Sequence, residues 1–154
     1  MRAAVWLFAL AALFAVIIGL EFVHSGGPAV PQNVSGPVHT LVLDGVSVHV
    51  TLARTPAEQE RGLGGRDSLA PASGMLFVFP RDGKYAFWMK DMRFSIDILW
   101  LADDGRVIYI VPNLSPASYP ESFTPPAPAR FVLEVPAGWT AAHNIHRGDS
   151  ARLP

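Results

Sequence analysis

Two carboxylates stand in stretches that otherwise read as buried strand: Asp97 inside "SIDILWL" and Glu134 inside "RFVLEV". An ionised carboxylate among apolar side chains is costly unless it meets a cation or hydrogen-bond donors. Arg61, Arg66, Lys90 and Arg130 are the available cations. Paired with Lys90 or Arg61, Asp97 or Glu134 would belong to a structural ion-pair network. Opened to solvent, the same residues would make a site for a polar ligand. A paired-carboxylate hydrolase requires a set separation between its acids, and nothing in this spacing fixes one.

"AFWMKDM", residues 86–92, adds a different kind of group. Lys84 and Lys90 are the only lysines, and Lys90 sits among Phe87, Trp88, Met89 and Met92. Alternate residues of a strand share a face, so Trp88 and Lys90 are expected to point the same way. A tryptophan beside a lysine or arginine can form a flat platform for a sugar or an aromatic ligand, a role open to Trp88 and Trp100. The plainer alternative is a lysine snorkelling at a barrel rim. Phe77, Phe79, Tyr85 and Phe87 are expected in the core, and Trp139 is expected to pack at a helix start.

Other chemistries find little support. Cysteine is absent, which removes thiol catalysis, disulfides and cysteine-ligated zinc together. His39 and His49 fall in one hairpin whose opposed residues sum to 89, a register that sends the two rings to opposite faces. His143 and His146 are i, i+3 neighbours without an H-E-x-x-H or comparable frame. No metal or cofactor is expected. No G-x-S-x-G occurs, and "GLGGR" (62–66) lacks the lysine-serine ending of a phosphate loop, so a helix stop and turn is its better reading. Acidic and basic residues nearly balance, at a net charge of −1 without a basic patch, so nucleic acid is not an expected partner.

The elements that would position these groups follow from local patterning. "VHTLVL" and "VSVHVTLA" flank Asp44-Gly45, the pair that favours a type I′ hairpin. In "RTPAEQERGL", Thr55 and Glu58 form a capping box, Pro56 suits the first turn and Gly62 the stop. "MLFVF" reads as a buried strand, turned by "PRDG" into "KYAFWMK". "SIDILWLA" and "RVIYIV" form a second hairpin through "DDG". Residues 112–129 hold six prolines and are expected to be irregular, with a possible role as a wall of the site. "RFVLEV" is a strand, "GWTAAHNI" one or two helical turns, and "DSARL" a closing strand. The fold class is therefore mainly β: a small barrel-like or sandwich domain of about seven strands, with one short helix after the first hairpin.

An N-terminal hydrophobic helix is expected to precede this domain. Residues 3–20 carry no charge, and as a helix they rise about 27 Å, close to a bilayer core. The run is long for a signal peptide and lacks a good cleavage site, so residues 1–23 read as a membrane anchor, with a signal peptide as the rival. Residues 24–37 are a Gly- and Pro-containing tether, and 38–154 a single globular domain. The expected location is the outer side of the cytoplasmic membrane, either anchored there or secreted if the segment is cleaved.

The ordered segments "ARTPAEQERGLGGRDSL", "GMLFVFP", "FWMKDMRFSIDILWLADDGRVI" and "FVLEVPAGW…RGD" resemble domain-of-unknown-function family 192, over roughly residues 46–153. The family comprises small bacterial and archaeal proteins, frequently exported or anchored. The resemblance implies a compact, mainly β fold and leaves activity open. Its pattern falls on Arg61, Gly62, Arg66, Gly74 to Phe77, Phe87 to Lys90, Asp97, Gly105, Glu134, Gly138, Gly148 and Asp149. The chain departs from that pattern at Gly64, where methionine is usual, and at Asp91 and Met92, where asparagine and threonine are usual. Asp91 also places a negative charge beside Lys90, where a salt bridge would hold the amine. The leading expectation is a non-catalytic polar groove lined or supported by Arg61, Arg66, Trp88, Lys90, Asp97 and Glu134, taking a small polar or anionic ligand, a sugar or an envelope protein segment. A hydrolase or lyase acting on an envelope polymer through Asp97 or Glu134 is the runner-up. A purely structural domain is the third reading.

Overall fold

The computed structural model describes residues 36–154. The expected hydrophobic helix and nearly all of the tether lie outside the described residues. Among those described, no helix is long and apolar enough to cross a membrane.

Asp44 and Gly45 adopt φ of 46° and 82°, the two positive values a type I′ turn demands. They join β1 (Val38–Leu43) to β2 (Val46–Ala53) in the expected register, His49 opposite Thr40 and His39 opposite Val50. Helix α1 (Pro56–Arg61) follows, and β3 (Ser73–Gly83) then runs parallel to β2. The remaining elements are β4 (Phe87–Trp88), β5 (Ile96–Leu101), β6 (Val107–Leu114), β7 (Ser122–Phe123), β8 (Ala129–Pro136), α2 (Trp139–Ala142) and β9 (Ala151–Arg152). Seven strands make one curled, half-barrel sheet in the order β6-β5-β8-β3-β2-β1-β9, and β4 pairs with β7 in a separate ribbon.

The two ends of the large sheet are tied together. Gly148 N–H donates to the Val107 carbonyl at 2.9 Å, Val107 N–H to that of Asp149 at 2.8 Å, and Ala151 N–H to that of Gly105 at 2.9 Å. Gly105 has φ 81°, and a Cβ there would lie 2.3 Å from the Ala151 carbonyl oxygen, so only glycine lets the segment close.

The middle of the sheet is buried on both faces, and β5 accordingly has no exposed residue, whereas β1 and β2 turn Thr40, Ser47 and His49 to solvent. One face gathers Leu41, Val50, Leu76, Leu99 and Leu133 with Trp139 and Ile145. The other gathers Met75, Phe77, Ile98, Trp100 and Val132 with Leu63 and Met89. Full burial of such a side chain contributes about 1.5–3 kcal/mol, so each face stabilises the whole sheet.

Two local expectations need correction. "PRDG" is not a turn: β3 continues through it, with an irregularity between Val78 and Gly83, and Gly83 pairs with Ala129. Pro80 is tolerated because its missing N–H falls in that irregular stretch. The proline-rich segment is also partly regular. It carries the end of β6, a short 3-10 turn at Pro116–Ser118 and β7, whose Phe123 and Ser122 pair with Phe87 and Trp88.

Candidate functional site

Helix α1 sets one side of the site. Thr55 Oγ1 accepts from Glu58 N–H at 3.3 Å, and Glu58 Oε2 accepts from the N–H groups of Arg54 and Thr55, each at 2.9 Å. These backbone donors hold the Glu58 carboxyl below its usual range. Gln59 fixes the helix to the sheet by donating to the carbonyls of Val78 (3.0 Å) and Ala53 (3.3 Å). The helix ends at Gly62, φ 50°, directly above the buried face: a Cβ there would meet Phe77 Cζ at 3.3 Å and Glu134 Oε2 at 4.0 Å.

The opposite side is β4 and the turn after it. The expected strand "KYAFWMK" is regular only at Phe87–Trp88, so Lys90 is exposed in the turn that follows the buried Met89, and it lines the same cavity as Trp88, which is 53% exposed. Asp91 follows in the left-handed region, φ 58°, which asparagine and aspartate tolerate better than most residues. Gly65 N–H donates to the Asp91 carbonyl at 2.9 Å, joining the loop after α1 to the turn that carries Lys90.

Between these two sides lies a cavity of about 260 Å³, whose lining includes Arg61, Gly62, Phe77, Trp88, Lys90 and Glu134. Its walls are aromatic. Phe87 meets Phe77 edge-on at 4.8 Å, and Tyr85 stacks on Phe79 at 3.5 Å and 9°. An open groove of about 570 Å³ continues from it, sharing Glu60, Arg61, Gly64, Lys90 and Met92 with the cavity and adding Asp91 and Arg93.

Glu134 forms the floor. It is 5% exposed, and its Oε2 has no hydrogen-bond partner among the described residues. Burial raises its pKa from the ordinary 4.5 to about 8, against the opposing pull of the Arg66 charge. Burial in turn holds the Arg66 guanidinium below its usual value; Glu134 counters that effect and Arg61 adds to it. At neutral pH the floor therefore presents an uncharged carboxyl, able both to donate and to accept a hydrogen bond.

Of the expected site residues, the fold brings Arg61, Trp88, Lys90 and Glu134 to one cavity. Arg66 acts on Glu134 through its charge and does not line the hollow. Asp97 is elsewhere. It pairs with Val135 while Ile98 pairs with Glu134, so the two acids leave opposite faces of the sheet. Asp97 is fully buried and needs no cation. Its Oδ1 accepts from Asn113 N–H (2.8 Å) and Gly138 N–H (2.9 Å), and its Oδ2 from Thr140 N–H (2.9 Å) and Thr140 Oγ1 (2.6 Å). It anchors the start of α2 to the sheet. Arg130 lies against Asp82 and Asp103, away from both acids.

The aromatic residues were the signal that sequence reasoning missed. Phe77 is core, as expected, and Trp100 is fully buried and offers no platform, but Phe79, Tyr85 and Phe87 are half-buried and, with Phe77, line the cavity. The proline-rich segment does not line it; β7 pairs with β4, which does. Among the described residues, no cluster of His, Asp and Glu fit for a metal ion occurs. His143 packs on Trp139 at 4.6 Å.

Comparison with known proteins adds family and fold. The family model DUF192, described as "Uncharacterized ACR", matches residues 39–153. A crystal structure from Sinorhizobium meliloti 1021, described as a candidate transcription regulator, is 31% identical with a TM-score of 0.72, covering 77% of this chain and 95% of that one. A protein of unknown function from Novosphingobium aromaticivorans is 28% identical with a TM-score of 0.75, covering 84% of this chain and 94% of that one. No curated protein matches the chain.

Proposed function

The chain belongs to the DUF192 family, and on that premise we propose that it is a binding domain that takes a small polar or anionic ligand in the cavity between α1 and β4. One observation carries the reading: a buried carboxyl with an unpartnered oxygen forms the floor of a solvent-connected, aromatic-walled hollow. A buried polar atom without a partner costs roughly 1–3 kcal/mol, so a ligand that satisfies Glu134 recovers free energy. The rim sets two cations, Arg61 and Lys90, against one exposed acid of the cavity lining, Glu60, a balance that favours an anion. Among the described residues, no ion pair joins Arg61 or Lys90 to a carboxylate, Asp91 included.

The domain's place in this reading is the outer side of the cytoplasmic membrane. The support is the uncharged run at residues 3–20 and the tether after it. The ligand would then be an envelope solute or a segment of an envelope partner. Gene regulation, the description given to the Sinorhizobium neighbour, fits this chain poorly: its net charge is −1, and its two described α-helices span only six and four residues.

The test is a thermal-shift screen of carboxylates, phosphates and sugars on the purified full-length chain and on Lys90→Ala and Glu134→Leu. Stabilisation by one class that weakens in both variants supports binding at this cavity. Shifts that survive both substitutions, or no shift from any class, count against it.

Proton transfer is the second reading, favoured by the raised pKa of a cavity-facing carboxyl. With Asp97 on the other face, Glu134 would act without a partner acid as general acid or base in a hydrolase or lyase. Turnover of an envelope polymer abolished by Glu134→Gln supports it. Turnover that persists in that variant excludes Glu134 from the chemistry.

A further inference from the structure

Resting on the ligand-binding reading above, we propose that the cavity takes a flat aryl monoanion bearing a hydroxyl at the end remote from its charge, bound hydroxyl-first. Depth orders the polar groups. Glu134 lies buried at the floor, whereas Arg61 and Lys90 are exposed at the mouth. A ligand anion therefore stays outward, where both cations reach it and the charged groove continues. Its inner end meets a neutral carboxyl, and a hydroxyl, itself both donor and acceptor, complements that group on both counts.

Size and satisfaction of polar groups choose the body between the two ends. The volume of about 260 Å³ equals the share of roughly nine waters in the liquid, which suits one ring with small substituents. A sugar ring of that size would bring several hydroxyls into a chamber whose Gln59 and Tyr85 donors are already engaged. Gln59 already donates to Ala53 and Val78, and the Tyr85 hydroxyl donates to the Arg81 carbonyl at 2.7 Å. Glu134 is left as the deep group with a free oxygen. An aryl ring with a single inner hydroxyl brings only one polar group past the rim, and it lies against Phe77, Phe79, Tyr85 and Phe87.

Isothermal titration of the full-length chain at pH 7 tests this with para-hydroxybenzoate, benzoate, para-hydroxybenzyl alcohol and galacturonate. The first should bind about tenfold tighter than benzoate, which lacks the hydroxyl, and than the alcohol, which lacks the charge. Glu134→Leu should erase the preference for the hydroxyl and Glu134→Gln retain part of it. Arg61→Ala with Lys90→Ala should erase the preference for the charge. Equal binding of benzoate, or tighter binding of galacturonate, overturns the inference while leaving a ligand site in place. A hydroxyl preference that survives Glu134→Leu also overturns it. If none of the four binds and the thermal-shift screen is equally silent, the binding reading falls with it.

Discussion

Asp97 and Glu134 sit on adjacent strands, β5 and β8, one register step apart, and their carboxyls leave opposite faces of the sheet. The same burial gives them opposite fates. Asp97 accepts four hydrogen bonds, three from Gly138 and Thr140 at the start of α2 and one from Asn113 on β6, whereas Glu134 keeps a bare oxygen at the floor of a cavity. One acid holds the fold together, and the other is available to something outside it.

Asp97→Asn should therefore be a stability variant. An amide nitrogen cannot accept, so at least one oxygen's donors lose their partner and face another donor. Hydrogen bonds to a charged group contribute about 1.5–3 kcal/mol each, and a loss of roughly 3 kcal/mol or more is expected in urea unfolding. Thr140→Val removes only the 2.6 Å hydroxyl contact and should cost about half as much. Ligand shifts measured where both variants are folded should match the wild type. A variant that is as stable as wild type yet has lost its ligand would place Asp97 in the site after all.

Gly105→Ala should loosen the closure of the sheet. The new methyl group would fall 2.3 Å from the Ala151 carbonyl, at a φ of 81°. The backbone conformation alone costs about 1–2 kcal/mol, and the clash also displaces β9. Hydrogen exchange should quicken at Val107 and Ala151 before it changes in β3 or β8. Uniform loss of protection would instead mean that the closure is part of the global unfolding unit.

How much of this was legible in the sequence depended on how local each signal is. The hairpin at Asp44-Gly45, the capping box of Thr55 and Glu58, and the stop at Gly62 all lie within a few residues of their partners, and all appear as read. The pairing of β5 with β8 joins residues 97 and 135, and no local pattern sets that register. The separation of the two acids was hidden for that reason. The aromatic lining was hidden for another: Phe79 and Tyr85 have the composition of a core. They stack beside a hollow only because β3 runs on through "PRDG" and β4 turns away to pair with β7.

Arg61 and Lys90 are exposed, so replacing both with alanine should leave the melting temperature within about 2 °C of wild type, as exposed substitutions usually do. Binding of an anionic ligand should nevertheless weaken, with the loss shrinking as salt screens the rim. Titrations at low and high ionic strength check this. A loss independent of salt would assign the two side chains a packing role instead.

Glu134 should make the protein less stable as pH rises. Its carboxyl has an ordinary pKa of 4.5 in the unfolded chain and about 8 when buried. Between those values the folded state keeps a proton that the unfolded state releases. Stability is therefore highest below about pH 4.5 for this group, falls through the window up to about 8, and is level above it. Each pH unit in that window is worth up to 1.36 kcal/mol, so the full effect is of the order of a few kcal/mol. Glu134→Gln keeps the shape and cannot ionise, so its denaturation midpoint should lack this slope, and above pH 8 it should be the more stable protein. Anion binding should follow the same proton. Ionised Glu134 places a negative charge beneath the ligand, so wild-type affinity should fall above pH 8 while that of the glutamine variant stays flat. Parallel pH profiles for the two proteins would show that Glu134 does not titrate in this range.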